Sequence, residues 1–425
     1  MTSVFREYLA LPSTVKVVAG GRILNSMGSF VVILATPLLT QHLGLSAGIA
    51  GAWLFAAQAA FLIGSLAAGW AIDHFSKVWI LAATLLANAV AFSVGTFTTG
   101  AVTVGISLVI GYFFHGAWRP SMIAIAAEET SEDQHAVAFS LMYFVHNIGY
   151  LVAPVAAGWL FAWNARSVFA ADAVSSVASA AVVLIGTGTA LTAFRVRSRP
   201  TDGLGPAEPI HAETGGPGAG APDGTIAPGF VRTALRDRPL VLFTVAFVAA
   251  QFIYSQVSFA LPLTIIDRLA DSGTRVYGVV MAANAGIVIA LAPAITALTR
   301  RWRPVTSVAL SCGFYLVGFG MLIVVRSVPL FLVSTVLWTI GEILSAIHIN
   351  VFIASRAPAS MRGRYLSSLR VVFALGKIMA PAVGGLVVDR WRVDGVWVVT
   401  SLLSVVAVAV LLRVRRMVQA ESASG

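Results

Sequence analysis

Apolar residues in this chain neither alternate nor return every third or fourth position. They continue for about 20 residues, stop at a short polar stretch, and resume. Twelve such runs are read, at roughly 17–40, 49–72, 77–98, 102–126, 137–160, 167–190, 239–263, 275–298, 304–325, 328–352, 365–388 and 395–413. A run of that length crosses the hydrocarbon core of a bilayer as one helix. Most connecting stretches are short, so neighbouring spans are expected to pack antiparallel. The exception is 195–238, whose middle, "PTDGLGPAEPIHAETGGPGAGAPDGTIAPG", is rich in Pro and Gly and reads as a flexible linker. The pattern therefore predicts an all-α membrane protein with 12 transmembrane helices in two six-helix pseudo-repeats. The halves are residues 1–194 and 239–425, joined by a cytoplasmic linker at 195–238.

Composition agrees with the pattern. Of 425 residues, 58% are hydrophobic and 11% charged, and the mean hydropathy is +0.87. A soluble protein of this length needs far more charge to cover its surface. The net charge of +10 does not indicate nucleic acid, because the basic residues are dealt out among loops rather than gathered on one face. With the N-terminus inside, 20 of the 28 Lys and Arg fall on the inner side. Positive charge stays on the cytoplasmic side, so both termini are expected there, in the cell membrane. The N-terminal "MTSVFREYLALPSTVK" lacks the pattern of a cleaved signal peptide. The first run is expected to direct insertion, with 4–11 along the membrane surface.

The halves echo each other. "NIGYLVAPVAAG" (147–158) and "ALGKIMAPAVGG" (374–385) align Gly149 with Gly376, Ala153 with Ala380, Pro154 with Pro381 and Gly158 with Gly385. A proline removes a helical hydrogen bond and kinks the span. Small residues around it allow close helix contact. The fifth and eleventh spans are therefore expected to be seams on which two halves rock, with the substrate site between the halves near mid-membrane.

Polar side chains inside the spans mark that site, because each is costly in lipid. At helical spacing the first span carries Arg22, Asn25, Ser26 and Ser29, and the fourth Tyr112, His115 and Arg119. The seventh carries Gln251, Tyr254, Ser255 and Ser258, and the tenth Trp338, Glu342 and Ser345. These four stripes either glue helices together or line one polar cavity. Two acids lie well inside spans. Asp172 reads as structural. Glu342, near the centre of the tenth span, must pair, face water or take up a proton. Lys377 on the eleventh span is its expected partner, in a fixed pair or in one made and broken during a cycle. His115 and His146 are candidates for proton sensing or relay, though each also reads as a hydrogen-bonded interior histidine. His348 points away from Glu342 around the helix.

Other chemistry is not visible. No metal-ligand spacing, GxxxxGK[ST] loop or nucleophile–base pair stands out, and the single cysteine, Cys312, reads as a small buried apolar residue. No cofactor, metal or enzymatic activity is expected, and transport driven by a gradient fits best.

The loop after the second span, "GWAIDHFSK", resembles the cytoplasmic signature of the major facilitator superfamily, Gly-x-x-x-Asp-Arg/Lys-x-Gly-Arg. Gly69 and Asp73 match, while His74 and Ser76 stand where a cation and a glycine are usual. The resemblance implies an inner gate at Gly69, Asp73 and Lys77. "NIGYLVAPVAAG" resembles the fifth-helix signature of that family's antiporters, with Ala153 and Ala157 replacing glycines. "GEILSAIHINVFIASRAPASMRGRYLSSL" resembles the tenth and eleventh helices of its proton-coupled drug exporters. The arginine usual in the fourth helix of such exporters aligns with Tyr112. The implied protein exports a small amphipathic or hydrophobic compound in exchange for protons, as a monomer. Proton coupling then falls to Glu342, Lys377, His115 and Arg119. The cavity falls to Asn25, Ser29, Tyr112, His115, Gln251, Tyr254, Ser255, Trp338 and Ser345. An importer or uniporter of a polar metabolite is the alternative within transport, and a membrane-embedded enzyme or sensor the alternative outside it.

Overall fold

Lipid offers backbone groups no partner, so each apolar run satisfies its own N–H and C=O groups by forming a helix. The computed structural model describes residues 2–188, 234–357 and 362–424, which form helices and turns. The linker expected at 195–238 lies outside the described residues up to 233. The spanning helices are α1 (Ser13–Met27), α2 (Ala47–His74), α3 (Lys77–Phe97), α4 (Ala101–Glu129), α5 (His135–Trp163), α6 (Ala165–Gly186), α7 (Arg238–Leu269), α8 (Gly273–Thr299), α9 (Pro304–Gly320) and α10 (Val328–Arg356). The long element Arg362–Ser424 breaks at Trp391 and Arg392. The part before the break is α11 and the part after it α12. A short helix, Thr2–Ala10, precedes α1 and bonds to α5 through Tyr8 and Ser140 (2.9 Å).

Capping sets several of the boundaries. Ser46 accepts a hydrogen bond from the Ile49 amide at the start of α2, and Asp237 accepts one from the Leu240 amide at the start of α7; each satisfies an N–H that the first helical turn leaves unpaired. Pro304 sits in the first turn of α9, where its missing N–H removes nothing. Ala270 (φ 46°) and Arg392 (φ 62°) take left-handed backbone conformations where the chain passes from α7 to α8 and from α11 to α12.

The first span departs from the expected straight helix. Its chain leaves α1 at Gly28, passes through two short helical pieces (Phe30–Ile33 and Ala35–Pro37), and ends in a π-turn at Leu38–His42. Pro37 has no N–H to give, and the break frees amides around Phe30. Asp172 of α6 reaches across to them, accepting from the Val31 amide at 2.9 Å and also from Phe30. This agrees with a structural role for Asp172, exercised across the half rather than on its own helix.

The two halves repeat one packing scheme. α5 packs on α1 and α3 on α4 and α6; correspondingly α11 packs on α7, and α9 on α10 and α12. Between the halves, α2 packs on α11 and α5 on α8. The end of the second half that carries the C-terminus is tied by Arg356, which donates to both Asp237 oxygens (2.8 and 2.7 Å) and to Glu421 (2.6 Å). At its opposite end Arg268 bonds Asp394 and the carbonyls of Leu322 and Val325.

Candidate functional site

The paired proline stretches define where the halves meet. A Cβ on Gly278 of α8 would strike the Pro154 carbonyl, and a Cβ on Gly51 of α2 would strike the Pro381 carbonyl. One turn further along, a Cβ on Gly158 would come within 2.8 Å of the Thr274 carbonyl oxygen, and one on Gly385 would strike the Ala47 carbonyl. The two interfaces are equivalent, and each brings a proline-bearing helix into backbone contact with the opposite half. Gly149 and Gly376 do something else. Gly149 abuts Ser26 and Met27 of α1, and Gly376 abuts Val248 and Phe252 of α7. Both pack inside their own half, which corrects the expectation that they lie on the seams.

Contacts between halves run from the end away from the termini to mid-span. At that end Asp389 of α11 accepts from the Gly48 amide (2.9 Å) and the Ser46 hydroxyl (3.1 Å), lying on the N-terminus of α2. Its carboxylate meets both the free amides and the helix dipole there. At mid-span the Lys377 amine stands 5.7 Å over the Phe61 ring of α2. Lys377 is exposed although it sits in the middle of a span, as a group lining the space between halves would be. Tyr143, nearer the end that carries the termini, is also exposed (38%) and lies within electrostatic reach of both Arg119 and Glu342.

Glu342 is held within its own half. The Asn284 amide of α8 donates to it at 2.8 Å and to Thr339 at 3.0 Å, and Tyr254 of α7 shares a further side-chain hydrogen bond with it. The expected ion pair with Lys377 is not formed: the carboxylate's partners are Asn284 and Tyr254, and the lysine faces Phe61. An antiparallel neighbour is not enough to make a pair, because the rotation of each helix decides where its side chains point. Asn284 was missed in the sequence, where a lone Asn among Ala and Gly carries no periodic signal.

The other expected site residues divide by burial. His115, Arg119, Gln251, Tyr254 and Ser255 are half-buried. Asn25, Ser29, Tyr112, Trp338 and Ser345 are buried within their own halves. Ser29 donates to the Asn25 carbonyl, Ser345 to that of Glu342, and Trp338 packs against Phe319 and Tyr254. These five are packed away from any open space, the two serines bonding carbonyls of their own spans, and the four-stripe cavity narrows. The basic side is richer than expected. Arg22 lies 3.4 Å above the Trp118 ring, Trp118 stacks on His115, and His115 adjoins Phe61. His146 bonds Ser26 at 3.2 Å, whereas His348 bonds Thr299, apart from Glu342.

At the end of α2 expected to form the inner gate, Gly69 is buried and Asp73, one turn later, is exposed. Lys77 pairs with Glu128 of α4 (2.6 Å) instead of Asp73. Among the described residues, no group of three or more His, Cys, Asp or Glu side chains is arranged to hold a metal ion.

Known proteins agree with this architecture. The profile of the Major Facilitator Superfamily matches residues 18–381, and the chain belongs to that family. The MFS-type transporter YttB of Bacillus subtilis is 23% identical over 410 residues, covering 95% of each chain. A Na(+), Li(+), K(+)/H(+) antiporter of Planococcus maritimus is 22% identical over 359 residues, covering 79% of this chain and 80% of its own. Among solved structures, an auto-inhibited peptide transporter of the POT family superposes with a TM-score of 0.72 at 16% identity, covering 96% and 97% of the two chains. The chain is thus a secondary membrane transporter of the major facilitator type, built to carry a small molecule across a bilayer.

Proposed function

We propose that the chain is a proton-coupled exporter of a small amphipathic or hydrophobic compound, working by alternating access in the cell membrane with both termini cytoplasmic. The observation that carries this reading is Glu342. It is a carboxyl group at mid-span, held by Asn284 and Tyr254, and Tyr143 of the opposite half lies within electrostatic reach of both it and Arg119. Such a group takes a proton when the space opens to one side and gives it up when it opens to the other. Its charge then switches between negative and neutral, which changes how strongly it attracts the basic side chains of the opposite half. The proton exchange named for the Planococcus maritimus relative supports the same coupling.

The cycle follows from the contacts. With the outer end held by Asp389 and the two seams, the compound enters from the side of the termini. Rocking on the Pro154–Gly158 and Pro381–Gly385 seams then closes that side, and Gly69, Asp73 and Lys77 come together as its gate. Export is completed when the Asp389 contact parts. Protonation of Glu342 from outside returns the halves.

In proteoliposomes, Glu342→Gln should abolish pH-driven transport while the protein elutes and melts like the parent. Unchanged pH-driven transport in that variant would contradict the assignment.

A further inference from the structure

The charge around the space between halves is lopsided. Arg22, His115, Arg119 and His146 of the first half and Arg370 and Lys377 of the second lie within electrostatic reach of one another in an unbroken chain. Ring contacts connect the same groups, from Lys377 over Phe61, through His115 and Trp118, to Arg22. The acids nearby are already engaged: Glu342 by Asn284 and Tyr254, and Asp172 by the backbone of the first span.

Arg22 is the telling member. It is only 6% exposed, and its Nε and Nη1 atoms have no hydrogen-bond partner. The Trp118 face attracts a guanidinium but offers its N–H groups no acceptor. A buried arginine with unused donors calls for an anion. The guanidinium fork suits a carboxylate, sulfonate or phosphate oxygen pair. Trp118 and Tyr150 beside it, and Phe61 beneath Lys377, suit an apolar body.

We infer that the transported compound is an amphipathic organic anion, whose charged group is held by the basic cluster that runs from Arg22 of the first half, past His115, to Lys377 of the second. This rests on the reading of the chain as an exporter and names the class of compound it carries. Unoccupied, like charges on the two halves repel and keep the inner side open. An anion between them removes the repulsion and allows closure. An inside-negative membrane potential favours outward movement of such a cargo.

The test is calorimetric binding to the purified full chain of three probes with one skeleton: naphthalene-2-sulfonate, naphthalene-2-sulfonamide and 2-naphthylmethylammonium. The sulfonate should bind about tenfold or more tightly than the sulfonamide. Arg22→Gln and Lys377→Gln should each erase that preference, and Arg22→Lys should restore part of it, which a purely structural arginine would not do. Equal or weaker binding of the sulfonate, no binding of any probe, or a preference unchanged in both Gln variants overturns the inference. Any of these leaves the Glu342 experiment standing. Conversely, unaltered pH-driven flux in Glu342→Gln with the anion preference intact overturns proton coupling and not the anion site.

Discussion

The charged residues at mid-membrane divide into those that hold the fold and those that face the space between halves. Asp172 belongs to the first kind. Its carboxylate accepts the amides that the broken first span frees at Phe30 and Val31. Leaving a buried donor without a partner costs about 1–3 kcal/mol, so Asp172→Ala should lower the melting temperature of the purified protein and its yield. An unchanged melting curve would show that the first span keeps its shape by other means. Glu342 and Lys377 were legible in the sequence because a charge inside an apolar run has few innocent explanations. Their partners were not. Whether Glu342 meets Lys377 or Asn284 depends on how α8, α10 and α11 are rotated about their axes. Arg22 was legible as a polar position, but its stacking on Trp118 and its unused donors appear only once α1 and α4 are packed.

At the scale of the helix, nearly every span was readable, because lipid leaves an apolar run of this length one way to satisfy its backbone. The exception is instructive. Gly28 and Pro37 lie inside the first run, and the run was read straight through them. The paired "APV" and "APA" stretches lie inside helices, with small residues at their contacts, and combine two packing faces that the sequence cannot separate. Pro154–Gly158 and Pro381–Gly385 meet the opposite half, whereas Gly149 and Gly376 meet α1 and α7 of their own. The two faces predict opposite phenotypes. Gly51→Leu or Gly278→Leu crowds a seam, so folded protein should be recovered with transport lost. Gly149→Leu or Gly376→Leu overpacks the interior of one half, at about 1–3 kcal/mol or more, and should reduce folded yield itself. Gel filtration together with flux assays separates these outcomes. Equal folded yield in both sets would contradict the division of faces.

At the scale of the molecule, the repeat makes two equivalent interfaces, α2 with α11 and α5 with α8, and the end away from the termini, the outer one in the proposed orientation, is fastened by a contact that breaks the symmetry. Asp389 sits on the N-terminus of α2, an interaction worth about 1 kcal/mol at most at an accessible helix end. Removing it with Asp389→Ala should shift the balance between outward-open and inward-open forms by about fivefold. Pulsed electron resonance between spin labels on the outer ends of α2 and α11 would read the shift as a larger long-distance population. An unchanged distribution would mean that the seams alone hold that side closed. The fold and the division into halves were visible in hydropathy and in the repeated proline stretch. The asymmetric outer contact was not, because an Asp at a helix end is indistinguishable in sequence from any loop acid. The most direct measurement on the whole molecule is internal pH in proteoliposomes as compounds are added to the reconstituted protein. Proton movement that requires both an added compound and Glu342 is the expected result. Flux of a compound with no accompanying proton movement would contradict it.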